Sequence, residues 1–153
     1  MNKIVHSLEL KVFVKPEEDF DKLKIAFLNL IPFPLELFEK EKIKLNEEVA
    51  KIIEGRSMKI LSIVLTKPRH TNKFLNFFKS KLSNDTIYTL ISQLNSRIDD
   101  DLNFFIRLDK KSLVEDKFEL TDSGDCFHLK FLVASYPAKL ESAILTIRSY
   151  LAS

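Results

Sequence analysis

The sequence predicts an α+β fold, a mainly antiparallel sheet with helices packed on one face. Strand-like and helix-like segments are interspersed along its 153 residues. Several strand segments follow one another through short turns, as hairpins do, instead of through helical crossovers. Apolar residues at 45 % and charged residues at 30 % match an ordinary globular chain, read here as one domain over residues 1–153.

KIVHSLELKVFVK (3–15) alternates, with Ile4, His6, Leu8, Leu10, Val12 and Val14 on one side. That is a half-buried strand, and His6 on its apolar side reads as a hydrogen-bonded structural histidine. Pro16 stops it. Glu17, Glu18 and Asp19 open a helix, where acids suit the positive end of the dipole. Phe20, Leu23, Ala26, Phe27 and Leu30 form its apolar stripe, and Pro32 and Pro34 end it.

Phe38 to Leu45 alternates charged and apolar groups and reads as an exposed strand. NEEVAKIIEG reads either as a helical turn or as more strand, with Gly55 in a turn. KILSIVLTK (59–67) is a β run. Phe74, Phe77, Phe78 and Leu82 give a helix over 71–82. Ser83 or Asn84 caps a second helix, over about 84–98, whose stripe is Ile87, Leu90, Ile91, Leu94 and Ile98.

Asp99, Asp100 and Asp101 form a solvated turn, lacking the alternation and glycine of a calcium loop. LNFFIRL is a core strand that runs into the charged residues DKK. Strands at 117–121 and 126–134 flank TDSGD as a hairpin. Cys126 reads as a small core residue and His128 as a surface or strand-pair position. Pro137 pre-sets the first turn of a last helix, with Leu140, Ile144, Ile147 and Leu151 at helical spacing. The order is β-α-β-β-α-α-β-β-β-α.

Several chemistries lack their residues. With only Gly55 and Gly124, no glycine-rich phosphate or dinucleotide loop can be written. There is no Gly-x-Ser-x-Gly elbow. One cysteine excludes an internal disulfide and multi-cysteine metal sites. Cys126 and His128 share a strand face, an accident more often than a catalytic pair. The chain therefore reads as non-enzymatic, with no cofactor and no metal site. No apolar run approaches the roughly 20 residues of a membrane span, and the N-terminus lacks a signal-peptide pattern. Those features predict a cytoplasmic protein with no membrane partner.

Charge distribution is the main electrostatic signal. Residues 1–54 carry 9 Lys/Arg and 11 Asp/Glu, and residues 85–153 carry 8 and 11. Between them, residues 55–84 carry 7 Lys/Arg and no acid. In TKPRHTNKF, the residues Lys67, Arg69, His70 and Lys73 straddle a strand end and a helix start. A helix N-terminus favours anions, which makes a candidate phosphate site. On charge alone a solvated loop is the stronger reading. In RLDKK, Arg107 and Asp109 would share a strand face, with Lys110 and Lys111 beyond. Taken alone this reads as a solvated strand end.

A resemblance raises both. HSLELKVFVKPEED, KPRHTNKF, FIRLDKKSLVEDKFELTDSGD and SYPAKLE together resemble a family of archaeal proteins described as predicted RNA-binding proteins associated with the exosome. The resemblance runs from His6 to the final helix, and FIRLDK and YPAK are its most specific strings. It implies a fold similar to the ribosomal protein that grips 5S ribosomal RNA, also likened to double-stranded-RNA-binding domains. It departs at KLNEEVAKIIEGRSM, where family members are richer in glycine.

By the resemblance, Arg107, Asp109 and Lys110 match FIRLDK, and Tyr136, Pro137 and Lys139 match YPAK. Lys67, Arg69 and Lys73 match the basic segment by character. The implied RNA-binding set is thus Lys67, Arg69, His70, Lys73, Arg107, Asp109, Lys110, Lys111, Tyr136 and Lys139. Phosphate and shape contacts to structured RNA are expected, with exosome subunits as further partners and oligomers allowed. Stacking on single-stranded bases would need exposed sheet aromatics, but Phe13, Phe104 and Phe105 are read as core. The rival reading is an assembly module using the strand edge near Phe38–Leu45, where Lys40, Lys42 and Lys44 would discourage pairing.

Overall fold

A computed structural model describes residues 3–52 and 55–153. They form an α+β fold with a five-stranded antiparallel sheet and seven α-helices. The strands are β1 (Val5–Val14), β2 (Asn46–Lys51), β3 (Ser57–Leu65), β4 (Asn103–Leu108) and β5 (Phe127–Val133), in the order β2-β3-β1-β5-β4. The helices are α1 (Phe20–Leu28), α2 (Phe38–Glu41), α3 (Pro68–Ser80), α4 (Asn84–Ser92), α5 (Leu94–Arg97), α6 (Lys110–Val114) and α7 (Leu140–Ala152). Among the described residues no helix is long and apolar enough to cross a membrane.

The chain forms two compact units. One comprises Met1–Leu8, Leu65–Ile106 and Leu129–Ser153, and the other Glu9–Val64 and Arg107–His128.

In the first unit, Phe131 on β5 makes T-shaped contacts with three rings. Phe74, Phe78 and Phe104 lie 5.9, 6.0 and 5.8 Å from it, and Phe74 and Phe78 stack at 5.6 Å. Edge-to-face pairs of this kind add to the burial of each ring. Tyr150 on α7 is buried, and its hydroxyl donates to Leu75 O at 2.6 Å, so the polar tip is satisfied. Ser83 caps α4 by accepting from Thr86 N. The expected helix over 84–98 breaks at Gln93 into α4 and α5. Its stripe still works, since Leu90, Leu94 and Ile98 are buried. Asp99 Oδ1 accepts from the amides of Asp101 and Asn103 and closes the turn into β4. Pro137 does not lie in the first turn of α7. The helix starts after Lys139, and Pro137 precedes it, joined to Tyr136 by a cis peptide.

In the second unit, Leu10, Val12 and Val14 of β1 are buried. Leu61 and Ile63 of β3 and Phe127, stacked on Phe27 at 6.4 Å, complete the core. Asp19 caps α1 through Lys22 N, so the helix begins after the acidic run. β2 pairs antiparallel with β3 from Asn46↔Ser62 to Lys51↔Ser57. NEEVAK is therefore strand.

Several expectations fail. Phe38–Leu45 is not a strand: a 3-10 turn at Leu35–Leu37 leads into α2, and Lys42 closes it at φ 59. Phe38 and Ile43 are both buried, and Ile43 N donates to Phe38 O at 2.8 Å, so a closed turn wins over alternation. The hairpin expected at 117–134 is also absent. Leu120 bridges Leu108, Asp109 N donates to Glu119 O, and Thr121 N donates to Arg107 O, so 119–121 follows the end of β4. In β1, Val5 and Leu8 are buried and His6 is exposed. The alternation slips by one residue there, so His6 is not a core histidine.

Candidate functional site

In the first unit the basic segment builds the start of α3. Lys67 is the N-cap and Pro68 the first helical residue, a position that suits a residue without an N–H. His70 N and Thr71 N both donate to Lys67 O. The turn therefore offers side-chain charge more than a row of free amides. Lys67, Arg69 and Lys73 are exposed. Arg69 and Lys73 are four residues apart, on one helix face about 6 Å apart along the axis. His70 is 2 % exposed. That burial corrects its place in the RNA-binding set: the side chain belongs to the core face of α3, one turn from Phe74.

Tyr136 and Lys139 lie on the same unit, before α7. Tyr136 is 99 % exposed, and Lys139 is the exposed N-cap of α7. Phe105 on β4 is 40 % exposed while Phe104 is buried. The core reading is thus right for Phe104 and wrong for Phe105. The signal was present, because alternation that buries Phe104, Ile106 and Leu108 must turn Phe105 and Arg107 outward.

In the second unit, FIRLDKK divides by role. Arg107 is exposed, and its guanidinium donates to Asp122 O at 3.0 Å. Asp109 does not orient it. The strand ends at Leu108, and Asp109 caps α6, accepting from Ser112 N at 2.9 Å and from its hydroxyl at 2.8 Å. Lys110 is 8 % exposed and donates to Phe13 O, Glu18 Oε1 and Asp125 Oδ1 at 2.7, 2.9 and 2.6 Å. Asp109 thus serves as a half-exposed helix cap, and Lys110 as a buried ammonium with three acceptors. Lys111 is exposed.

Lys15 joins this cluster through Asp125 Oδ2 at 2.8 Å. The hydrogen bonds from Lys110 and then Lys15 hold the Asp125 carboxyl below its ordinary range, and Asp125 in turn raises Lys15.

Phe13, read as core, is half-exposed, and His128 holds the strand-pair position expected of it. Phe13 and His128 meet edge to face at 5.8 Å on the half-exposed side of β1 and β5. Burial lowers His128 below the usual histidine value, and the charges of Arg107 and Lys11 act the same way. Cys126 Sγ lies 3.7 Å from His128 Nε2, so the pair does meet. Burial pushes the Cys126 thiol up, away from the thiolate a nucleophile needs. Among the described residues, no group of three or more His, Cys, Asp or Glu side chains is placed to hold a metal ion.

A family model described as RNA binding matches residues 7–133. A protein of Pyrococcus abyssi named RNA-binding protein is 22 % identical over 151 residues, covering 95 % of this chain and 93 % of its own. A solved structure from Archaeoglobus fulgidus, assigned to the DUF54 family, is similar with a TM-score of 0.81 and 27 % identity, covering 95 % of this chain and 99 % of that one. A DUF54 protein of Methanothermobacter thermautotrophicus gives a TM-score of 0.75 and 29 % identity over 97 % and 98 % of the two chains.

Proposed function

This chain belongs to the RNA-binding family, and from that premise we propose that it is a non-catalytic protein gripping structured RNA through phosphate and shape contacts. The observation that carries the reading is the exposed trio Lys67, Arg69 and Lys73 on the first turns of α3. It lies in the stretch 55–84, which holds 7 Lys/Arg and no acid. The segment itself contributes positive charge and no carboxylate. Duplex RNA presents phosphate rails and 2′-hydroxyls across a shallow groove, and spaced cations suit both. Arg107 and Lys111, exposed on the second unit, are further phosphate ligands in this proposal. The raised Cys126 thiol beside His128 supports the non-catalytic part. A cytoplasmic accessory role beside the archaeal exosome is part of the proposal and rests on the resemblance of FIRLDK and YPAK. Co-sedimentation with reconstituted exosome, with and without ribonuclease, tests it.

The primary experiment is binding of labelled duplex RNA, single-stranded RNA and duplex DNA across a salt series. The expected result is tightest binding to duplex RNA, with log affinity falling several units per unit of log salt. No binding of any of the three near physiological salt overturns the reading.

A second reading has its own observation. β2 is an edge strand, and Val49 on it is 63 % exposed. Edges invite pairing, although Glu47, Glu48 and Lys51 oppose it. Light scattering of wild type and Val49→Lys separates the two: an assembly dissolved by the lysine favours this reading.

A further inference from the structure

The first unit holds a cavity of about 880 Å³ that the proposed phosphate site does not use. It lies against the last turns of α3, the end of β5 and one side of α7. Lys3, Asn76, Lys79, Ser135, Tyr136 and Ser149 supply its polar lining. Its volume falls in the range of small-molecule and cofactor sites and far exceeds what a lone phosphate needs.

Three features of its chemistry agree. Two lysines line the cavity, and no Asp or Glu side chain is among its described lining residues. Lys79 Nζ donates to the backbone oxygen and, at 2.7 Å, to the hydroxyl of Ser153, which also lines the cavity. Ser135 Oγ is buried with no hydrogen-bond partner among the described residues. A buried hydroxyl without a partner is uncommon and calls for a reason. Tyr136, 99 % exposed, stands beside this hydroxyl in the sequence and lines the same cavity. A fully exposed tyrosine alone would mean nothing. Next to two cations and an orphan hydroxyl it supplies a flat ring for a base.

We infer that this cavity binds one nucleotide: Tyr136 stacks on the base, Lys79 and Lys3 hold the phosphate, and Ser135 takes a sugar or base hydrogen bond. Ser80, Thr146 and Tyr150, which also line the cavity, donate their hydroxyls to Phe77 O, Ser142 O and Leu75 O, so each keeps lone pairs able to accept. The nucleotide comes either as a free monophosphate or as a nucleotide of an RNA strand. In the second case the inference deepens the RNA-binding reading by adding a single-nucleotide pocket to the phosphate contacts of α3.

Calorimetry with adenosine 5′-monophosphate, adenosine and inorganic phosphate, on wild type, Tyr136→Ala and Lys79→Ala, tests the pocket. Competition of the monophosphate against a short single-stranded RNA distinguishes the sources. Tyr136 is exposed, so its variant keeps the fold, which circular dichroism verifies. The expected result is binding of the monophosphate above both adenosine and phosphate, weakened about tenfold by Tyr136→Ala, the scale of one base stack. If the same variant weakens single-stranded RNA and the monophosphate competes with it, the ligand is a nucleotide of RNA. If RNA binding is unchanged while monophosphate binding falls, the ligand is a free nucleotide. Both variants binding monophosphate as wild type does, or phosphate binding as tightly as the monophosphate, overturns the inference. RNA affinity that depends on Lys67 and Arg69 but not on Tyr136 or Lys79 leaves the α3 reading intact, so the two fail separately.

Discussion

Lys110 Nζ lies 2.6 Å from Asp125 Oδ1, and the same ammonium reaches Glu18 Oε1 at 2.9 Å and Phe13 O at 2.7 Å. A lysine from a charged string thereby fastens β1, the turn before α1 and the loop before β5 to α6. The site is asymmetric, since the lysine is buried and Asp125 is partly open to solvent. Removing the cation takes one donor from the Phe13 carbonyl and from each carboxylate, leaving Asp125 and Glu18, among the described residues, only their bonds from Lys15.

Lys110→Met is expected to cost about 1.5–3 kcal/mol, the scale of charge-assisted hydrogen bonds. Urea denaturation measures it. RNA affinity of the folded variant should match wild type at equal salt. A selective loss of RNA binding with unchanged stability would return Lys110 to the interface.

The charge cluster also sets the acid limb of stability. Asp125 titrates below its ordinary 3.8 in the folded state, chiefly through the Lys110 hydrogen bond. A lowered acid gives stability that is present above the unfolded pKa and lost as pH falls through the folded one. Stability should drop as pH falls below about 4, and Asp125→Asn should show a shallower drop there, from a lower starting point. Equal slopes in the two proteins would discount the cluster.

His128 acts in a higher window. Burial holds its folded pKa below 6.5. The unfolded chain then takes up a proton first, so stability is complete above 6.5 and declines as pH falls from there through the folded value. Chemical denaturation at closely spaced pH values should show this slope in wild type and lose it in His128→Gln.

The trio on α3 predicts a salt effect. Lys67→Ala, Arg69→Ala and Lys73→Ala combined should reduce the slope of log affinity against log salt by about 0.7–0.9 for each phosphate the three side chains neutralise. Thermal stability should change little, because all three side chains are exposed. An unchanged slope would remove the α3 site from the interface.

Phe131→Ala should cost about 3–5 kcal/mol, the usual range for a buried ring. Three aromatic rings meet that ring in T-shaped contacts, so its loss leaves a cavity that stiff neighbours cannot fill. A loss below about 1 kcal/mol would mean that the cluster collapses freely.

The sequence by itself determined the α+β class, the burial of Leu8 to Val14 in alternation, the apolar stripes of α1 and α3, and a cap at Ser83 or Asn84, of which the fold uses Ser83. Of the stripe expected on α7, Ile147 and Leu151 are buried, but Leu140 is exposed and Ala143 and Tyr150 complete the buried face. The sequence also located the stretch without acids and the buried Cys126. These are local properties, set by the two- and 3.6-residue periods, capping chemistry and composition. Tertiary structure decided what local rules leave degenerate. Phe38–Leu45 alternates like a strand, but burying Phe38 and Ile43 together closes it into a turn. The segment at 117–121 could pair with either flanking strand, and contact at Leu108 chose β4. Burial divided the predicted site as well: Lys67, Arg69, Arg107, Lys111 and Tyr136 remain exposed, while His70 and Lys110 do not. A lysine's letter states its charge. Only the distant carbonyl of Phe13 and the carboxylates of Glu18 and Asp125 decide whether that charge faces a ligand or is neutralised inside the fold.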